Sequence, residues 1–411
     1  MNCLELKINN IGHKYMGIVL NCIKASNSKI TTFESNKHVI NEDALDFFGS
    51  YEDHSINNNP ASRPKYAELH PNTEIHYHEI DIDDIHEKHD QSKLRYFLDG
   101  SRHIYKTSDI IINGVVYPVV AGQIIVGCCS RDGRVIGVES PENLCKREIV
   151  LALPDKFDID KLGPNYFKLQ LEKMNEALRE KYKENAVQFN QLIPYNADEL
   201  SSEDKNIGRD KYLHRAISVI QNEMMDQEQL MVQYLCKTNL LGADSWLVKD
   251  GTLEYKKDFS NRKDVNLDIA QYTDHIQHVI GVSKLFNAEL LSYQEKKIGQ
   301  IIAQLPPLSR TNAYIFKHEN HNYCVWYLRL RNNPRPNNHF SDVIKTEFLL
   351  LDDKPVSSQI IDNISKHLFN EAAPVCFGKD SRWGNHLYPI YLTERYCKSK
   401  YIYDQKIINV I

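Results

Sequence analysis

Two aspartates in this chain, Asp99 and Asp250, each stand directly before a glycine and shortly after an apolar run, with Lys249 between the run and Asp250. The runs are Tyr96-Phe97-Leu98 and Trp246-Leu247-Val248, and both are typical of β-strands. A strand holds a carboxylate on rigid backbone, and the glycine that follows lets a chain segment or a ligand come close. Two carboxylates on neighbouring strands could hold two divalent ions, which stabilise the attacking and leaving oxygens in phosphodiester hydrolysis. We therefore predict metal-dependent nuclease chemistry, with both aspartates as catalytic metal ligands.

Four short motifs occur in a fixed order along the chain. They are Asp99-Gly100-Ser101, Asp250-Gly251-x-Leu253, Gly281-Val282-Ser283-Lys284 and the late His386-x-Tyr388-Pro389. In this order they resemble the NurA nuclease family, and the resemblance covers residues 93–129 and 210–400. It implies an RNase H-like core and DNA cleavage with two Mn²⁺ or Mg²⁺ ions, as a single-strand endonuclease and 5′-to-3′ exonuclease. It also implies a homodimer that docks on a HerA-like hexameric ATPase, a DNA translocase.

The resemblance further implies a third acid on a helix between the two aspartates, where the sequence offers Glu223, Asp226 and Glu228. We select Glu228 as the third catalytic metal ligand, because apolar residues flank it and can place it on the buried edge near the sheet. Glu223 lies five residues earlier, about 140° around a helix of 3.6 residues per turn. Both glutamates therefore cannot point into one site, and Glu223 remains the alternative.

His386 is the predicted fourth member of the site, both as a catalytic residue and as a metal ligand. Its neutral imidazole could bind the second metal or carry a proton to the leaving oxygen. Lys284 ends an apolar strand and could hold a phosphate as a point charge. Arg102 and Arg329 are further candidates for contacts to the DNA backbone.

The fold that must position these residues is predicted from three local patterns. Asn113-Gly114 between β-branched runs indicates a hairpin. Residues 212–235 contain no Gly or Pro, and their apolar residues recur every three or four positions. This spacing predicts a long amphipathic helix. Strands are predicted at 322–330 and 343–349, and a final helix at 392–401. This order predicts an α/β fold: an RNase H-like mixed sheet flanked by helices.

We expect residues 1–90 to form an N-terminal extension or subdomain, and residues 91–411 to form the nuclease domain. Within the latter, residues 146–209 are charged and helix-prone, and we expect a mostly helical insertion. Neither the extension nor the insertion is accounted for by the resemblance.

Composition limits the choice of function. The chain has 411 residues, of which 42% are hydrophobic and 26% charged, values that are typical of a globular protein. No apolar run approaches the roughly 20 residues of a membrane helix, and the N-terminus lacks a signal-peptide pattern. Nine cysteines without a Cys-x-x-Cys pair indicate reduced thiols. We therefore expect a cytoplasmic protein with no membrane partner.

The net charge of −5 argues against strong DNA binding by this chain alone. The chain also lacks a GxxxxGK[ST] phosphate loop, so any ATP-driven motor must be another protein. Host DNA end processing and anti-phage defence both fit such an arrangement.

Two other functions stay open at this stage. One is a catalytically inert adaptor that regulates a translocase, although an adaptor has no need of the acids. The other is an Argonaute-like or RNase H-type nuclease that acts on RNA-containing substrates.

Overall fold

The computed structural model describes residues 17–26, 30–40, 65–82, 92–138, 141–156, 166–198, 211–253, 273–286, 298–318, 321–333, 339–351, 354–376 and 383–409. Within these ranges the strands are β1 Thr31–Val39, β2 Tyr77–Glu79, β3 Leu94–Ile112, β4 Val115–Asp132, β5 Val135–Gly137, β6 Cys145–Pro154, β7 Gln191–Tyr195, β8 Trp246–Asp250, β9 Val279–Ser283, β10 Ser309–Thr311, β11 Tyr314–His318, β12 His321–Arg329 and β13 Val343–Leu350. The α-helices are α1 Ile18–Ser26, α2 Pro141–Leu144, α3 Tyr166–Tyr182, α4 Lys211–Lys237, α5 Thr273–Ile276, α6 Ile298–Gln304, α7 Ser358–Glu371, α8 Tyr388–Lys398 and α9 Asp404–Ile408. Short 3₁₀ helices span Lys183–Asn185 and Trp383–Asn385.

All the described strands belong to one mixed sheet, whose centre runs β6-β4-β3-β8-β9. β3, β4 and β6 form an antiparallel meander, and β8 and β9 continue the sheet parallel to β3. Counted along the chain, these five strands lie in the order 3-2-1-4-5, with the helix α4 connecting the meander to β8. This is the strand order of an RNase H-like core. The prediction of a mixed sheet flanked by helices is confirmed.

The predicted hairpin connects β3 to β4. Asn113 and Gly114 both have positive φ, 51° and 83°, as a two-residue type I′ turn requires. The paired strands are unusually long, with 19 and 18 residues. Their distal halves contribute Tyr105, Ile110 and Val119 to a second hydrophobic core, which α1 and α3 cover.

The two faces of the central sheet are covered by different helices. α4 packs on one face, where Ile220 lies so close to Gly122 that a Cβ there would meet its methyl carbon at 2.7 Å. α7 and α8 pack on the other face, through residues such as Leu368 and Ile390. α4 spans 27 residues, which confirms the long amphipathic helix predicted for this part of the chain. Within the described residues, no helix is long and apolar enough to cross a membrane.

Some elements differ from those predicted. The segment 146–209, expected to be mostly helical, contains α3 but also β7 and most of β6, which extend the sheet. Its residues 157–165 and 199–210 lie outside the described part. The last predicted helix begins four residues earlier, at Tyr388, with Pro389 in its first turn, where proline is favoured.

The described part of residues 1–90 adds α1, β1 and β2 to the structure. β1 pairs with β3 and β2 pairs with β10, so both strands extend the main sheet. Residues 1–16, 27–29, 41–64 and 83–90 of the predicted extension lie outside the described part. The domain boundaries stay a prediction.

Candidate active site

Asp99 and Asp250 lie on neighbouring parallel strands near the middle of the sheet. Leu98 of β3 is in register with Lys249 of β8, so the aspartates that follow them are adjacent. Side chains alternate along a strand, and Asp99 shares its face with Phe97, on the side that α8 covers. The thiol of Cys397 on α8 donates to the Asp99 carbonyl at 3.6 Å. The sequence pattern thus placed both acids on strands, and the sheet order brings them together.

A lysine and a third carboxylate complete this face of the site. Lys284 Nζ lies 2.8 Å from Asp250 Oδ2 and 3.6 Å from Glu394 Oε2. Lys284 directly follows β9, and Glu394 lies on α8, where Lys398 forms a second ion pair with it at 3.0 Å. Glu394 is a site residue that the sequence patterns missed.

Burial and crowding of like charges dominate the electrostatics of Asp99. Burial raises the pKa of its carboxyl well above the usual value, the neighbouring Asp250 raises it further, and Lys284 offsets only part of the shift. Burial alone would lower the pKa of Lys284, but Asp250, Glu394 and Asp99 raise it above that of an ordinary lysine. Lys284 therefore remains an ammonium ion at neutral pH. Burial alone would raise the pKa of Glu394, but Lys284 and Lys398 bring it below its usual value.

Glu228 approaches from α4, on the opposite face of the sheet from Asp99. Its Oε2 lies 2.7 Å from Lys249 Nζ, because Lys249 points to the face opposite Asp250. Burial raises the pKa of Glu228, Lys249 counteracts this effect, and Asp250 adds to it. Lys249 is therefore a second cation in the site that the sequence patterns did not identify.

Glu223, the alternative third acid, is also buried, but its contacts differ from those of Glu228. Gln227 Nε2 donates to its Oε1 at 2.9 Å, and Gln227 in turn accepts from Lys146 Nζ at 3.3 Å. Glu228 is among the charges that act on Asp99. The structure thus separates the two glutamates as the helix geometry requires.

Gly100 allows Glu228 to reach the backbone of β3. A Cβ at this position would overlap Glu228 Oε1 and would lie 3.1 Å from its carboxyl carbon. It would also lie 3.0 Å from Met224 Cγ. The glycine of the first Asp-Gly pair therefore makes room for the helix acid.

We predict that Gly100→Ala will preserve the fold but reduce cleavage, because the added methyl group displaces the flexible end of Glu228. A misplacement of about 1 Å can cost roughly 100-fold in rate. The variant is compared with Gly137→Ala, whose Cβ would meet nothing within 4 Å. Initial rates on a plasmid and the melting temperature are measured for both. Equal rates in the two variants would contradict the role given to Gly100.

The remaining predicted residues lie at different distances from this centre. His386 is buried, directly follows the 3₁₀ helix, and acts electrostatically on Glu394. Arg102 acts on Glu228, since its charge lowers the pKa of that carboxyl. Arg329 is not brought to the site. Its guanidinium donates to the backbone carbonyls of Leu305, Ser341, Ile302, Ala303 and His339. These bonds occupy the donors that a phosphate would need, so we assign Arg329 a structural role.

Within the described residues, no three His, Cys, Asp or Glu side chains are grouped as a metal-binding set. Two lysine ammonium groups contact the carboxylates instead, Lys284 on one face and Lys249 on the other. The donors that the site offers are nevertheless carboxylate oxygens, which hard cations such as Mg²⁺ and Mn²⁺ prefer.

No protein-family model matches the chain, and no curated protein does. Among solved structures, the chain is similar to the crystal structure of the NurA nuclease from Sulfolobus solfataricus. The TM-score is 0.37 and the sequence identity 11%, and the match covers 78% of this chain and 81% of that one. This is the family that the four motifs resemble.

Proposed function

We propose that this chain is a nuclease that hydrolyses phosphodiester bonds of DNA with divalent metal ions. The observation that carries the proposal is the position of Asp99 beside Asp250, on neighbouring strands of a sheet with RNase H-like strand order. Both follow apolar strands, and the buried Asp99 lies where its negative charge is disfavoured. A divalent cation would relieve that cost.

The residues present fit such a cation by their chemistry. Asp99 and Asp250 would hold it on the face that α8 covers, and His386 would supply a nitrogen ligand. Glu228, the third predicted ligand, lies on the face that α4 covers and would have to leave its ion pair with Lys249 to reach the ion. An ion that binds Asp250 would compete with the Lys284 ammonium for Oδ2. Two bound ions would stabilise the attacking and leaving oxygens of the phosphodiester.

The chain's own cations and imidazole take the other roles. Lys284 stays protonated, so it can hold a phosphate oxygen but cannot accept a proton. His386 acts electrostatically on Glu394 and, as the alternative to binding the metal, can give a proton to the leaving oxygen. Arg102 acts on Glu228 from the face that α4 covers, and a contact of Arg102 with the DNA backbone stays a proposal.

Incubation of the purified chain with supercoiled plasmid tests the proposal. Cleavage is expected with Mn²⁺ or Mg²⁺, and none with EDTA. Parallel DNA and RNA single strands of the same sequence decide between a DNA nuclease and an enzyme for RNA-containing substrates. A chain that cleaves neither nucleic acid with either metal would contradict the proposal.

One observation favours a second candidate, the inert adaptor of a translocase. Lys249 and Lys284 already form ion pairs with Glu228 and Asp250, so two of the acids are neutralised by the chain itself. An adaptor would keep these ion pairs and would not cleave DNA in the presence of metal. The plasmid assay separates the two functions.

The finer functions are proposals that the motif resemblance supports. They are single-strand endonuclease and 5′-to-3′ exonuclease activity, homodimer formation, and action with a HerA-like hexameric translocase in DNA end processing or anti-phage defence. The net charge of −5 supports the partnership, because a chain that makes few phosphate contacts needs another protein to bind the DNA.

We predict that the cognate translocase with ATP will strongly accelerate degradation of long duplex DNA. It should have much less effect on short single strands, because these reach the site by diffusion. One enzyme preparation is compared on both substrates, with and without the partner, at two salt concentrations. Equal rates on long duplex with and without the partner would indicate a stand-alone nuclease.

A further inference from the structure

The side chain of Asn385 contacts three backbone groups around the site. Its Nδ2 donates to the carbonyl of Lys284 at 3.0 Å and to that of Val343 at 2.9 Å. Its Oδ1 accepts from the amide of Asp342 at 2.8 Å. One carboxamide therefore connects the end of β9 with the start of β13.

Asn385 is also the residue directly before His386, at the end of the 3₁₀ helix. The preceding residue, Gly384, packs so tightly on Asp342 that a Cβ there would overlap Asp342 Oδ1. Asp342 is fully buried and has a positive φ of 62°. The segment that carries His386 thus packs closely against the residue before β13, an inner strand of the sheet.

We propose that Asn385 is a positioning residue, which fixes His386 and Lys284 relative to each other. Lys284 receives the bond on its backbone carbonyl, while its ammonium reaches Asp250 and Glu394. His386 is joined to Asn385 by one peptide bond. The carboxamide therefore links the proton-carrying group to the phosphate-holding cation without contacting the substrate. The catalytic part of this inference rests on the proposed function.

The chain offers a matched control for this residue. Asn175 on α3 bridges the backbone in the same way: its Nδ2 donates to the Phe189 carbonyl at 2.8 Å, and its Oδ1 accepts from the Phe189 amide at 2.9 Å. It lies on α3, and the Phe189 that it bonds belongs to the second hydrophobic core. Asn175→Ala therefore removes two bonds between a side chain and the backbone, one fewer than Asn385→Ala, at a position outside the site.

The test combines kinetics with hydrogen exchange. Asn385→Ala is expected to lower kcat about 100-fold with KM within about threefold of the wild type, because it misplaces reacting groups rather than removing substrate contacts. Asn385→Asp keeps the acceptor for the Asp342 amide and loses both donated bonds, so it should lose a similar factor in kcat. Asn175→Ala should retain the wild-type kcat.

Hydrogen exchange of the metal-free protein supplies a readout that needs no activity. The Asp342 amide should exchange faster in Asn385→Ala, and residues 383–387 should exchange faster in both Asn385 variants. Wild-type kcat in Asn385→Asp, or unchanged exchange at the Asp342 amide in Asn385→Ala, would overturn the inference. If the wild type cleaves nothing, the proposed nuclease function fails, and the exchange rates alone decide whether Asn385 fixes the two segments.

Discussion

Asp99→Asn is expected to abolish DNA cleavage while the protein remains folded, and Asp250→Asn is expected to do the same. Asparagine keeps the shape of the side chain but removes the charge that would hold a metal ion. Loss of a partner that merely orients a metal ligand typically costs 10- to 100-fold, so loss of a ligand should cost more than about 100-fold.

The rates are measured on supercoiled plasmid in Mn²⁺, together with the melting temperature and circular dichroism of each variant. Asp132→Asn is the matched control, since Asp132 also precedes a glycine but is exposed at the β4–β5 turn. Near-wild-type cleavage by a folded Asp99 or Asp250 variant would rule out the assigned site.

The same substitution at Asp99 should stabilise the metal-free protein. Burial and the neighbouring Asp250 raise the pKa of Asp99 in the folded state, so the folded chain holds this proton more strongly than the unfolded chain. Stability is then lost as the pH rises from the ordinary aspartate pKa, about 4, through the raised value. In EDTA at pH 7, Asp99→Asn should melt at a higher temperature than the wild type, and the difference should shrink toward pH 4.

Added Mn²⁺ should raise the melting temperature of the wild type more than that of Asp99→Asn, since a ligand stabilises only the state that binds it. An Asn variant that melts below the wild type in EDTA at pH 7 would show that the Asp99 charge is not a cost in the folded protein.

Glu228→Gln should reduce cleavage far more than Glu223→Gln. Glu228 lies against Gly100 and contacts Lys249, whereas Glu223 accepts a hydrogen bond from Gln227. A difference of at least about tenfold in kcat is expected, since even the loss of a group that only orients a metal ligand costs 10- to 100-fold.

The two variants are a matched pair, because they change the same residue type on one helix and both positions are buried. Their kcat values on single-stranded DNA and their melting temperatures are compared directly. If Glu223→Gln is the more damaging change, the helix acid was assigned wrongly, although the nuclease proposal still stands.

Elements with strong local signals could be predicted from the sequence. The Asn113-Gly114 turn needs positive φ at two positions. Asn and Gly both adopt positive φ readily, so the turn can be predicted from these two residues alone. The helix α4 was predictable because its apolar period continues without a Gly or Pro. Asp99 and Asp250 could be assigned to strands because an apolar run precedes each of them.

Residues that depend on long-range contacts could not be predicted. Glu394 reaches Lys284 because α8 packs on the sheet, a contact between positions 110 residues apart. Lys249 stands next to Asp250 in sequence, but strand alternation turns it toward Glu228. Arg329 resembled a phosphate ligand, and only the tertiary structure shows that backbone carbonyls surround it.

The β-strands within 146–209 were missed because their sequence is charged at its start and because helix α3 dominates the pattern. β6 begins with the polar Lys146 and Arg147 at the rim and becomes fully buried only from Ile149 onward. Pairing with β4 decides its conformation, and no local signal reports that pairing.

The length of β3 has a consequence for how the molecule can be divided. At 3.2–3.4 Å per residue its 19 residues extend roughly 60 Å. One end carries Asp99, and the other belongs to the core beneath α1 and α3. β4 pairs with β3 along this distance. A fragment that ends between two secondary-structure elements therefore cannot contain the half with Asp99 without the other half. Any truncation that separates the two halves has to sever β3 and β4.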